Sequence, residues 1–288
     1  MDSTRLSRRG LLVGLGAVGL SALSAGALAG CARREEIAVS PGQSELLVGK
    51  GQRVAFGVST LTQEPIPDTE VEVRFVTDRG VAGPVVRAKA HTGVAALPIY
   101  LASIDVPAAG FGYIQATTPD GRKGGEGAIN AVDPANSATV VPGRKAISVP
   151  TPTTADPLGV ARICTRKVGG QYAPCGMHTA SLDQMLAAHR PVMLAFATPE
   201  FCMSATCGPA VATIDAARAS RAWGDLAWIH VEIYRDADAK MLMEAVAAWR
   251  LPSEPWLFAI DRTGTVVARL EGPILSEEVP PLAERLSR

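Results

Sequence analysis

The chain has 288 residues, 47% of them hydrophobic and 19% charged, with 28 basic residues against 28 acidic ones. That length and apolar content suit two buried cores and exclude wholesale disorder. Balanced charge and only 5% aromatics exclude a basic, base-stacking nucleic-acid surface, so no nucleic-acid partner is expected.

The first thirty residues carry an address. Arg5, Arg8 and Arg9 precede an uncharged apolar run over 11–29, which ends in Leu28-Ala29-Gly30-Cys31. Small residues before a cysteine resemble the lipobox of bacterial lipoproteins, and Arg8-Arg9 within 7–12 resembles a twin-arginine signal. The resemblance implies that residues 1–30 are a removed signal peptide and that Cys31 carries lipid. The mature chain would then be lipid-anchored at the extracytoplasmic face of the cell membrane, where disulfides persist. An uncleaved membrane helix is the alternative, because the run approaches the ~20 residues that a span needs.

Residues 31–44 are polar and read as a tether. From 45 to 133 short runs alternate with period two, at 53–58, 70–76, 95–102, 112–117 and 127–132, separated by turn residues at 65–68, 107–110 and 119–121. Such spacing predicts an antiparallel β-sandwich. With the turn and strand at 109–114, the stretch is similar to small bacterial Ig-like domains. His91 has no partner at metal-ligand spacing and is expected on the surface. The module reads as a spacer or a partner-binding domain. Pro134, Pro142, Pro150 and Pro152 make 134–157 a semi-rigid linker.

With Cys31 lipidated, Cys164, Cys175, Cys202 and Cys207 remain, and four cysteines pair in three ways. Local pairing is the simplest. A structural disulfide between Cys164 and Cys175 would contribute about 2–3 kcal/mol in the loop-entropy model. Zinc on Cys164, Cys175 and His178 would lack a fourth ligand nearby, so neither a metal nor a cofactor is expected.

Residues 158–288 form the second predicted domain. Helical spacing covers 181–189, with Ser181 as N-cap, and a continuous apolar strand covers 191–197. Then come a helix at 208–223, a strand at 226–233 and a helix at 237–250. A hairpin follows over 255–260 and 265–270, turning at Asp261-Arg262-Thr263-Gly264. A last helix over 276–286 is delayed by Pro280 and Pro281.

This order, with Cys207-Gly208-Pro209 between a strand and a helix and Pro255 ahead of another strand, resembles the thioredoxin fold. The expected fold class is therefore α+β multi-domain, an N-terminal all-β Ig-like sandwich followed by a C-terminal α/β thioredoxin-like fold. The resemblance implies a thiol–disulfide redox protein. Cys207, at a helix N-terminus, would be the attacking thiolate, Cys202 the resolving thiol, and Pro255 a cis-proline packed against both. Its partners would be protein thiols or disulfides outside the cytoplasm, reached from a membrane held through lipid on Cys31. Two departures stand out. Ala210 replaces the family's second cysteine, and Ala195 lies where a buried carboxylate is usual; Glu200 is close but expected to be exposed.

Other readings compete. Cys202 and Cys207 can form a permanent staple in a non-catalytic, membrane-tethered binding or assembly lipoprotein. Pro199, Ser204 and Cys207 resemble the pattern of peroxiredoxin thiol peroxidases, with Arg269 as the required arginine by position. Two close cysteines with His230 resemble the copper chaperones of cytochrome oxidase, although the cysteine spacing differs.

Overall fold

The computed structural model describes residues 36–66, 70–93 and 98–288, except for the side chain of residue 126. The expected signal peptide over 1–30 and the expected lipid site Cys31 lie outside the described residues. Among those described, no helix is long and apolar enough to cross a membrane. Residues from 36 onward cluster as one compact unit.

Eight strands come first: β1 (Ala38–Pro41), β2 (Glu45–Leu47), β3 (Gly49–Ser59), β4 (Glu70–Thr77), β5 (Val86–His91), β6 (Ile99–Val106), β7 (Gly110–Thr117) and β8 (Lys123–Val132). They hydrogen-bond in one sheet, in the order β1-β3-β6-β5-β4-β7-β8-β2. Period-two burial is clear in β4, where Val71, Val73 and Phe75 face a core shared with Phe56, Tyr100 and Ile114. The sheet curls until the chain around β1 meets β8, where the Glu36 amide donates to the Lys123 carbonyl. Glycine permits that approach, since a Cβ on Gly124 would lie 2.0 Å from the Ile37 carbonyl oxygen.

The rest of the chain carries a small hairpin, β9 (Lys167–Val168) and β10 (Gln171–Tyr172), followed by α1 (Leu182–Ala187), β11 (Val192–Phe196), α2 (Cys207–Ala219), β12 (Ala227–Val231), α3 (Glu244–Trp249), β13 (Trp256–Ile260), β14 (Val266–Glu271) and α4 (Val279–Leu286). Four strands form a mixed sheet in the order β12-β11-β13-β14, in which only the β11–β12 pair is parallel. Alternation splits its side chains between two cores. Met193, Ala195, Trp228 and Leu257 face α2 and α4, while Leu194, Phe196, Ile229 and Phe258 face Leu182 of α1 and Trp249 of α3.

These observations correct the expected fold class. Among the described residues strands hold 36% and helices 13%, so the molecule is mostly β and not the predicted sandwich plus α/β thioredoxin-like fold. Part of the reason is that the first eight strands join one curled sheet instead of two facing ones. The other part is that predicted helices shrink. Residues 237–250 give helix only over Glu244–Trp249, because the Asp236 carboxylate accepts from the amides of Lys240 and Met241 and holds a loop.

The proline-rich segment 134–157 runs along the second sheet. The amides of Gly143 and Ala146 donate to the carbonyls of Val266 and Gly264, and the Trp249 indole N–H donates to the Ile147 carbonyl. The two sheets also meet directly. Arg53 in β3 pairs with Glu278 at 2.5 Å and donates to the Glu271 carbonyl at 2.8 Å.

Gly272 makes this junction possible. Its φ is +75°, and a Cβ there would lie 1.7 Å from the Gly42 carbonyl oxygen. Gly272→Ala should therefore cost about 2–4 kcal/mol. Urea denaturation checks this, and an unchanged midpoint would contradict the close approach.

Candidate functional site

Two sulfur sites lie on the α2 side of the four-stranded sheet. The first grows from the turn between β11 and α2. Cys207 is the first residue of α2 and is fully buried against Ala195, Ala210 and Leu257. Cys202 sits in the preceding loop and is part-exposed. Ala205, at the left-handed φ of 56°, turns the chain back so that the Cys207 amide donates to the Cys202 sulfur at 3.3 Å. The Ser204 hydroxyl lies 3.2 Å from the same sulfur.

Glu254 completes the cluster, with a carboxylate oxygen and both sulfurs all within 4.8 Å of one another. The next residue is Pro255, and the Glu254–Pro255 peptide is cis. The structure thus brings Cys202, Cys207 and the residue before Pro255 together. Met203, next to Cys202, is 99% exposed.

The electrostatics separate the two thiols. A hydrogen bond from the Cys207 thiol pulls Cys202 down to about 5, against the opposing effect of burial, with help from Ser204 and the amides of Cys207 and Thr206. Donating that hydrogen bond pushes Cys207 far up, and burial adds to it. Burial also raises the Glu254 carboxyl, as does negative charge on Cys202. Sequence reasoning missed Glu254. Its place immediately before Pro255 was the available signal.

Glu200 is exposed, as expected, and serves another purpose. It accepts from Lys167 at 2.6 Å and from the Tyr172 hydroxyl at 2.8 Å, which lowers its carboxyl. Its own amide donates to the Thr165 hydroxyl at 3.1 Å. The hairpin β9–β10 therefore clasps the loop that leads into Cys202. Arg269, the arginine a peroxidase would need beside the thiolate, instead pairs with Glu45 at 2.8 Å.

The second site holds the other two cysteines. Among the described residues the four cysteine thiols are free, and the sulfurs of Cys164 and Cys175, expected to pair, stand 3.9 Å apart, against about 2.05 Å for a bond. Both belong to the segment flanking the β9–β10 hairpin and are 0% and 5% exposed. His178 follows three residues after Cys175, and His230 is the penultimate residue of β12. The Cys175 sulfur is 3.3 Å from His178 Nε2 and 3.4 Å from His230 Nδ1, and the Cys164 sulfur is 3.8 Å from His230 Nδ1. His230 lies at the second site and so does not serve Cys202 and Cys207.

No known protein family matches the chain, and no curated protein does. Among solved structures it is similar to the BSP domain of a biofilm associated protein, at 13% identity and a TM-score of 0.25, over 35% of this chain and 16% of that one. It is also similar to a Salmonella alpha-2-macroglobulin at 16% identity and a TM-score of 0.25, over 41% of this chain and 7% of that one. The trypsin-activated alpha-2-macroglobulin from Escherichia coli gives 14% identity and a TM-score of 0.25, over 42% and 8%. The chain spans a small part of each of these proteins, and a likeness at that TM-score carries no argument about fold or function.

Proposed function

We propose that the protein is a thiol–disulfide exchange protein working on protein thiols or disulfides outside the cytoplasm, tethered to the membrane through lipid on Cys31. One observation carries the reading: a part-exposed sulfur, Cys202, receives the Cys207 amide at 3.3 Å while the Cys207 sulfur stands beside it under full burial. That arrangement stabilises a thiolate where a substrate can reach it and keeps its partner thiol protonated behind it.

The roles expected from the sequence are thereby exchanged. Cys202 attacks, and Cys207 resolves. In the oxidising direction of substrate turnover, a Cys202–Cys207 disulfide accepts a substrate thiolate at Cys202, and Cys207 leaves as a thiol after taking a proton. A second substrate thiolate then displaces Cys202, so the substrate gains a disulfide and the protein gains two electrons. In the reducing direction the Cys202 thiolate attacks a substrate disulfide and releases one substrate thiolate. Glu254 then accepts the Cys207 proton, and Cys207 displaces the second substrate thiolate from Cys202. Exposed Met203 offers the substrate chain an apolar contact beside the reacting sulfur.

The pH dependence tests the assignment. Only the thiolate reacts with an alkylating agent, so labelling at Cys202 should rise with pH through about 5 and level off well before the ordinary thiol value of 9.0. The depressed value also adds stability to the reduced form as pH rises between about 5 and 9.0, and that stability is lost as pH falls through about 5. Mass spectrometry of the pulse-labelled chain reads the labelling site by site. A Cys202 midpoint at the ordinary thiol value, or a Cys202–Cys207 reduction potential below about −300 mV, overturns the reading.

A further inference from the structure

We infer that Cys164, Cys175, His178 and His230 form a zinc site that anchors the β9–β10 hairpin to the four-stranded sheet. The four donor atoms all lie within 4.8 Å of one another, and their residues are 0%, 5%, 2% and 1% exposed. Zinc bonds to sulfur at about 2.3 Å and to imidazole nitrogen at about 2.0–2.1 Å, so a regular tetrahedron puts sulfur about 3.8 Å from sulfur and about 3.5 Å from nitrogen. The measured separations are 3.9 Å between the sulfurs and 3.3, 3.4 and 3.8 Å from sulfur to nitrogen.

The protonation pattern agrees with ligation. His230 Nε2 is 3.0 Å from the Ala197 carbonyl oxygen, to which it can only donate. Its hydrogen is thus fixed on Nε2, and the Nδ1 lone pair faces the sulfurs. Holding a ligand's second nitrogen in this way is the usual outer-sphere arrangement of a metal-bound imidazole. Glu232, 4.0 Å from Nε2, reinforces it, and is itself held by the Thr165 amide at 2.6 Å. His178 Nδ1 is buried without a partner, which leaves Nε2 as the nitrogen directed at Cys175.

Charge favours the same conclusion. Two thiolates, two neutral imidazoles and one Zn2+ sum to zero, which a buried site tolerates, whereas a lone buried thiolate is costly. Binding releases the two thiol protons and changes no oxidation state. Two thiolates with two imidazoles in a tetrahedron suit zinc better than hard cations, which take oxygen ligands.

The sequence made the site hard to find. Cys164, Cys175 and His178 are close in the chain, but the fourth ligand lies 55 residues beyond Cys175 in a strand whose other residues are core. The Met177 carbonyl, which accepts from the His230 amide at 2.9 Å, joins the two segments. The consequence reaches the thiol pair. Thr165 is next to Cys164 and holds Glu200, so the metal braces the loop that carries Cys202.

The test uses the full chain. Elemental analysis of the reduced protein should give one zinc per chain. After chelation under reducing, anaerobic conditions, added Co2+ should restore a metal and produce the visible bands of a tetrahedral ion with near-ultraviolet thiolate-to-cobalt absorption. Removing zinc should lower Tm by about 10 °C or more. Cys175→Ser and His230→Ala should each abolish tight metal retention, while the double variant C202S/C207S should keep one zinc per chain. A wild-type chain that takes up neither Zn2+ nor Co2+ when reduced overturns the proposal, independently of how the variants fold. So does metal lost in C202S/C207S, or a Cys164–Cys175 disulfide that persists in protein supplied with zinc.

Discussion

Cys202→Ser is expected to lower the rate of thiol–disulfide exchange by about a thousandfold or more, as loss of a nucleophile does. Cys207→Ser should behave differently. Cys202 stays part-exposed and keeps the amide hydrogen bond at 3.3 Å, so it should still attack, with nothing behind it to resolve the mixed disulfide. Substrate protein should therefore accumulate covalently bound to Cys202 in C207S and not in C202S. Non-reducing electrophoresis after incubation with a disulfide-bonded protein reads this directly. Trapping by C202S through Cys207 would restore the order of roles implied by the Cys207-Gly208-Pro209 motif. No trapping by either variant would leave the pair as a structural staple. Glu254→Gln gives a graded companion, because a neutral amide cannot accept the Cys207 proton; the attack step should persist while resolution slows.

The difference between motif and structure at this turn has a local cause. Sequence places both cysteines near the start of a helix, and the helix does begin at Cys207. What sequence does not display is which sulfur faces solvent. That is decided by Ala205 in a left-handed conformation and by packing of Cys207 under Leu257 and Ala195. A helix N-terminus acts on whatever sulfur its amides reach, and here the Cys207 amide reaches Cys202 instead of its own side chain.

Other parts follow the same division. Continuous apolar runs become β11 and β13, and the Asp261-Arg262-Thr263-Gly264 turn closes the predicted hairpin, with the Asp261 carboxylate accepting from the amides of Thr263 and Thr265. Prolines 280 and 281 sit in the first turn of α4 and delay its start, as local stereochemistry requires. Features set by distant residues were not legible. Ser181 holds the N-cap position of α1 as expected, but its side chain makes no cap bond, and the Leu182 amide donates instead to the Thr151 hydroxyl, 31 residues away. β1 falls in a stretch that reads as polar tether; pairing with β3 and burial of Ile37 and Val39 hold it. β5 was missed because its charged residues mask a short alternation. His230 is the sharpest case, since one histidine in a buried strand reads as core until the Cys164–His178 segment folds over it.

Arg269→Ala is expected to destabilise the chain by about 3–5 kcal/mol, the cost of leaving a buried charge without its partner. Arg269 in β14 and Glu45 in β2 are 8% and 10% exposed and pair at 2.8 Å across the junction of the two sheets. Ser137 ties into both, donating to Glu45 at 2.6 Å and accepting from Arg269 at 3.1 Å. The guanidinium also lies 5.3 Å from the Trp256 ring centroid, so the substitution removes an aromatic contact as well. Without the arginine, the Glu45 carboxylate keeps, among the described residues, the Ser137 hydroxyl. The companion variant E45L/R269M removes both charges and roughly conserves volume. It should recover most of the loss, because desolvation of two buried ions offsets much of their attraction. Urea denaturation of wild type, single and double variants gives the comparison. If R269A and the double variant are equally destabilised, the contribution of this pair is packing against Trp256 and not charge. If R269A unfolds at the wild-type midpoint, the junction between the sheets is held elsewhere, for example by the part-buried pair Arg53 and Glu278.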